Sequence, residues 1–186
     1  MVQKTLNALR GLEMVTADAF KIGIISDLRY DPSRWKVSSI KIKTEKGLTK
    51  RIPSLGSGRS MIQMCTRDFI INDIILMKEE IDDIETFIEP DSDNAPILSV
   101  LDGMKVVSKD GIELGTVYDV NVDTDMWAVP TISVKLDKLG FEPLGLKKGL
   151  LSKTVISIRT EYIETAASLI MLNQTAVELK DDIVVE

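Results

Sequence analysis

Two pairs of aspartates, Asp27 with Asp31 and Asp119 with Asp123, are the residues of this chain best spaced for chemistry. In a strand, a spacing of four puts both carboxylates on one face, as a general acid and base require. Beside a turn the same spacing serves a plainer end, because aspartate there hydrogen-bonds the local backbone. We read the four as turn and strand-end residues and expect no catalytic residue among them. Gly23 and Gly115 precede β-branched runs, where a missing side chain admits either a ligand or a neighbouring backbone. A bulge or barrel corner is the expectation. Trp35 and Trp127 each follow a loop and enter a strand. An indole there can stack on a base or ligand, and here is expected to cap a barrel end.

Other chemistries lack their residues. The sequence has no histidine, which removes the Ser-His-Asp triad, the Cys-His pair and histidine metal sites. Its one cysteine, Cys65, leaves no internal disulfide. In an apolar stretch, Cys65 is expected to be a small buried core residue in a reducing cytosol. Asp91, Asp93 and Asn94 begin like a calcium loop, but Pro96 and Asp102 stand where glycine and glutamate are needed. The stretch from Gly56 through Gly58 to Ser60 has neither a dinucleotide fingerprint nor a Gly-Lys-Ser/Thr phosphate loop. The expectation is therefore no enzyme, no metal and no cofactor.

The elements that hold these residues come twice. Slid by 92 positions, residues 5–43 lie over 97–135 without a gap, and twelve of the 39 pairs are identical. Typical residue frequencies would give about two or three. The identities are Leu6/Leu98, Leu9/Leu101, Gly11/Gly103, Val15/Val107, Asp18/Asp110, Gly23/Gly115, Asp27/Asp119, Asp31/Asp123, Trp35/Trp127, Val37/Val129, Ile40/Ile132 and Lys43/Lys135. In the second copy a β-branched segment at 105–108 meets Asp110-Gly111, which supplies positive φ for a tight turn. A β-rich run follows to Asp123, then a loop, then a strand with Ile132, Val134 and Leu136 on one face. Further along, Ile75-Leu-Met77 answers Ile170-Met-Leu172, with a three-residue insertion in the second copy. Each copy is expected to carry five or six short strands.

These residues form a pattern: Gly103, Val106, Ser108, Asp110, Gly111, Leu114, Gly115, Val117, Asp119, Val122, Asp123, then Trp127. The first copy carries it as Gly11, Val15, Thr16, Asp18, Ile22, Gly23, Ile25, Asp27 and Asp31, then Trp35, with Ala19 in place of Gly111. The pattern resembles the PRC-barrel family, which includes the cytoplasmic domain of the photosynthetic reaction-centre H subunit and the C-terminal domain of the ribosome-maturation factor RimM. The resemblance implies a mainly β chain: two small antiparallel PRC-type barrels in tandem, with short helical turns. The first would span 1–89, a polar Pro-flanked linker 90–96, and the second 97–186. The tandem is similar to archaeal cell-division adaptors that sit with the SepF-type membrane anchor of the FtsZ ring. It implies a non-catalytic adaptor with protein partners: the division-ring anchor or a paralogous PRC-barrel protein. The alternative is a ribosome- or RNA-processing-associated protein of the RimM kind.

Charge is unevenly placed. Residues 34–51 hold seven basic side chains against Glu45, a net of +6, and residues 78–93 hold Lys78 against eight acidic ones, a net of −7. Lys41, Lys43, Lys46, Lys50 and Arg51, with Glu79, Glu80, Asp82 and Asp83, form a candidate interaction surface that could steer an oppositely charged partner or another copy. Ile81, Ile84 and Ile88 lie at helical spacing beneath the acidic run. A homodimer or higher assembly is expected. The overall charge of −6 disfavours general nucleic-acid binding. The N-terminal residues lack the apolar core of a signal peptide, and no stretch approaches the roughly 18 apolar residues of a membrane span. A cytoplasmic protein, recruited to the division site through a partner, is the expectation.

Overall fold

The computed structural model of the chain describes residues 3–56, 60–91, 93–146 and 154–185. Positions 57–59, in the loop that contains Gly56 and Gly58, and the distal part of the second copy's loop, 147–153, lie outside them. The chain divides into two compact units, Met1–Ser99 with Asp123–Ala128, and Val100–Val122 with Val129–Glu186.

Besides the short strand Gln3–Thr5, the described residues of the first unit form seven strands: β1 (Glu13–Val15), β2 (Lys21–Asp31), β3 (Lys36–Thr44), β4 (Met61–Cys65), β5 (Ile70–Ile71), β6 (Ile75–Leu76) and β7 (Ile88–Pro90). They neighbour one another in the order β5-β6-β1-β2-β3-β4-β7. The second copy supplies β8 (Lys105–Val107), β9 (Glu113–Asp123), β10 (Ala128–Leu136), β11 (Val155–Arg159), β12 (Ile163–Ala166), β13 (Ile170–Leu172) and β14 (Val184–Val185). Their order is β12-β13-β8-β9-β10-β11-β14, the first order over again.

The fold is mainly β, but the sheet is mixed and is not closed. The expectation of purely antiparallel pairing fails at one equivalent place in each copy. β1 runs parallel to β6, with Met14 opposite Ile75, and β8 runs parallel to β13, with Val106 opposite Ile170. A parallel neighbour needs a long crossover, and the stretch 16–74 supplies it.

Burial explains why the sequence settles this way. Ile22, Ile25, Leu28 and Tyr30 are buried in β2, and Leu114, Val117, Val120 and Val122 in β9. The steps of three break the strand period of two. In β2 the register against β3 shifts between Ile25 and Asp27, a bulge that returns the next apolar residue to the core side. Each such aliphatic side chain contributes about 1.5–3 kcal/mol by leaving water. Parity also corrects the expectation for Cys65. Ile62 and Met64 face inward from β4, so Cys65 faces outward and is exposed.

The segment after β7 is strapped to β2. Arg29, only 3% exposed, donates from Nη1 to the Ala95 carbonyl at 2.5 Å and places Nη2 2.9 Å from Asp91. Lys41 meets the other Asp91 oxygen at 2.8 Å, and the Tyr30 N–H donates to the Pro96 carbonyl at 3.0 Å. Burial works against the Asp91 carboxylate, but hydrogen bonds from Lys41 and Arg29 outweigh it and lower its pKa.

Candidate interaction surface

The aspartate pairs do not share a working face. Asp27 is buried at the β2 bulge, and its Oδ1 accepts the Leu28 N–H at 2.8 Å and the Ser99 N–H at 3.3 Å. Asp119 is buried too and accepts the Val120 N–H at 2.8 Å. Asp31 sits at the hairpin end. The hydroxyl and backbone N–H of Ser33 donate to it at 2.6 and 2.9 Å and lower its pKa. Asp123 accepts the N–H groups of Asp125 and Met126 at 2.9 and 3.0 Å. All four carboxylates accept backbone N–H groups: Asp27 at a bulge, Asp31 and Asp123 at turns, and Asp119 from the residue that follows it.

The glycines mark close approach of backbone to backbone. A Cβ on Gly23 would collide with the Lys43 carbonyl, and one on Gly115 with the Lys135 carbonyl. Gly11 and Gly103 have φ of 88° and 74°, and their N–H groups donate to Ile25 and Val117 at 2.9 and 3.0 Å. Ala19 takes φ of 64° where Gly111 takes 82°, so both copies make the same turn despite the substitution.

That turn carries a device the sequence reading missed. Thr16 Oγ1 donates to Asp18 at 2.5 Å, and Asp18 accepts the N–H of Ile81 at 3.1 Å. Ser108 donates to Asp110 at 2.6 Å, and Asp110 accepts the N–H of Ala176 at 3.2 Å. Each carboxylate holds the start of a later helical turn. The signal was present as the aligned Thr16-x-Asp18 and Ser108-x-Asp110, but its partner in each copy is an apolar residue's backbone.

The tryptophans also share a conformation, with φ of 50° at both Trp35 and Trp127. Their surroundings differ. Trp127, within the first unit, is 5% exposed, donates its indole N–H to the Arg67 carbonyl at 2.9 Å and meets Phe69 edge to face at 5.9 Å. Arg67 in turn lies 3.6 Å over the Phe87 ring and 3.1 Å from Glu79. Trp35 is half-buried beside Tyr30, with ring centroids 5.5 Å apart.

The charged surface separates into committed and open residues. Lys41 is taken by Asp91 and Glu79 by Arg67. Lys43, Lys46, Lys50 and Arg51 are exposed, as are Glu80, Asp82, Asp83 and Glu85. Two short helices carry most of them. Leu48–Arg51 buries Leu48 and presents Lys50 and Arg51 at its last turn. The 3-10 helix Ile81–Phe87 buries Ile81 and Ile84 and turns its acids outward. Above the Gly23 crossing, Lys21, Lys43 and Lys46 line a shallow hollow of about 260 Å³. Lys21 is spoken for there, 2.6 Å from Glu13 and 3.5 Å from Glu45.

Among the described residues no group of three or more metal-binding side chains occurs, and no helix is long and apolar enough to cross a membrane. No family model matches the chain, and no curated protein matches it.

Proposed function

We propose that this chain is a non-catalytic adaptor that works by protein–protein contact. Its two copies are read as divergent PRC-type barrels on one framework. The observation that carries the reading is the exposed, sign-segregated surface of the first unit: Lys43, Lys46, Lys50 and Arg51 against Glu80, Asp82, Asp83 and Glu85. Such a surface speeds and orients association with a complementary partner. The resemblance of the duplicated motif to archaeal two-barrel proteins suggests the setting: a cytoplasmic division component, recruited to the membrane by a SepF-type anchor of the FtsZ ring. The same basic residues favour a second reading, a ribosome-associated role of the RimM kind, in which they would meet RNA phosphates.

Affinity capture from the native host, with the captured proteins identified, separates the two. The adaptor reading expects a division-ring or paralogous barrel protein, retained after nuclease treatment. Recovery of ribosomal particles alone would replace it with the second reading.

A further inference from the structure

The two copies share a framework, so a feature present in one alone is not required by the fold. The positions of the second copy equivalent to Glu80, Asp82, Asp83 and Glu85, allowing for its insertion, are Thr175, Val177, Glu178 and Lys180. Those equivalent to residues 48–51 are Gly140, Phe141, Glu142 and Pro143. At these positions the second copy carries neither the acidic strip nor the basic turn.

Within that unit the two patches are neighbours. Asp18 touches the start of the acidic helix through the Ile81 N–H. The hydrogen bond from Thr16 and, more weakly, the nearby charge of Arg51 hold the Asp18 carboxyl below its usual pKa. Arg51 also stands 5.9 Å from the centroid of the Phe20 ring, in the same turn as Asp18. The end of the basic turn and the start of the acidic helix thus both adjoin the 16–20 turn, which sets positive and negative side chains beside each other. A two-fold rotation about an axis through the seam lays each patch on its opposite, so the face is complementary to itself.

We propose that this face is where a second copy of the chain docks, Lys46, Lys50 and Arg51 of one protomer meeting Glu80, Asp82, Asp83 and Glu85 of the other. Exposed ion pairs are individually weak, so the dimer is salt-sensitive and forms through several pairs together. The face is the one to which the adaptor reading assigns a partner, so a second copy and that partner would compete for it; sedimentation of the purified chain tests the self-docking alone, whether or not a partner exists.

The test is sedimentation equilibrium of the full chain at about 50 mM and about 500 mM salt, with two charge-reversed variants. One is Lys46→Glu with Lys50→Glu, the other Asp82→Lys with Asp83→Lys. The wild type is expected near twice 20.7 kDa at low salt, with a dissociation constant raised about tenfold or more at high salt. Each variant alone is expected to be monomeric. Their equimolar mixture is expected to regain the dimer mass, because reversed patches then face each other correctly. All four reversed side chains are exposed, and circular dichroism checks that each variant folds. A monomeric wild type, a dimer indifferent to salt and to reversal, or a mixture that stays monomeric overturns the proposal. An open series of larger species overturns the two-fold arrangement.

Discussion

The Asp18 carboxylate accepts the backbone N–H of Ile81, 63 residues further along the chain, at 3.1 Å. Asp110 does the same for Ala176 across 66 residues, at 3.2 Å. The difference of three is the insertion in the second copy. Neighbouring bonds keep the same offset: the Ala17 N–H donates to Glu79 and the Lys109 N–H to Gln174, each at 2.8 Å. The duplication is therefore written into specific hydrogen bonds as well as into apolar positions.

The two clasps should make stability depend on pH at its acid end. Hydrogen bonds from Thr16 and Ser108 chiefly hold the Asp18 and Asp110 carboxyls below their ordinary value of 3.8. A carboxyl whose folded pKa is depressed stabilises the fold fully above its unfolded pKa, and that contribution is lost as pH falls through the folded value. Thermal unfolding of Asp18→Asn with Asp110→Asn should lie below wild type at neutral pH, and the gap should close below about pH 4. A gap constant down to pH 2 would show that the charge plays no part.

Ala19 holds a left-handed conformation that costs an L-residue roughly 1–2 kcal/mol. Ala19→Gly should raise stability by about 1 kcal/mol once the extra freedom of glycine in the unfolded chain is allowed for. Gly111→Ala should lower it by a similar amount. Denaturant unfolding of both variants checks the pair, which should move in opposite directions.

Gly23 and Gly115 should tolerate nothing larger. Alanine at either drives a Cβ into a partner-strand carbonyl, and backbone cannot rotate aside as a side chain can. We expect a loss of about 3 kcal/mol or more for each, at the upper end of overpacking costs. A soluble Gly23→Ala protein with an unchanged unfolding midpoint would contradict the close strand crossing.

The two tryptophans should respond unequally. Trp127→Ala removes a buried ring and leaves the Arg67 carbonyl without its indole donor, a cost of about 3–5 kcal/mol. Trp35→Ala removes a half-buried ring packed on Tyr30 and should cost clearly less. Tryptophan fluorescence of the two single-tryptophan proteins should show a bluer emission from Trp127.

Much of this was legible in the residues. The offset of 92 exposed the duplication, the Ile75/Ile170 match located the insertion, and the spacing of Ile81 and Ile84 anticipated a short helix with a buried edge, whereas Ile88 opens β7 instead of continuing it. What could not be read turns on long-range geometry. Ile75 and Ile170 look like any short apolar strand, and nothing local announces their parallel partners Met14 and Val106. Cys65 sits in apolar sequence, yet strand parity sends it outward. Nothing local marks Arg29 as buried, because Asp91 and Ala95, which cover it, lie 62 and 66 residues further along the chain. The surface suffered likewise: Lys41 and Glu79 belong to the charged runs but are consumed by Asp91 and Arg67.

On the proposed adaptor function, the exposed face of the first unit is the working surface. Parallel affinity captures from the host, one with the wild-type chain and one with the Lys46→Glu, Lys50→Glu variant as bait, test that most directly. The account predicts a protein partner held by the wild type and lost, or reduced at least about tenfold, by the reversed face. The same partner recovered equally by both baits would contradict it.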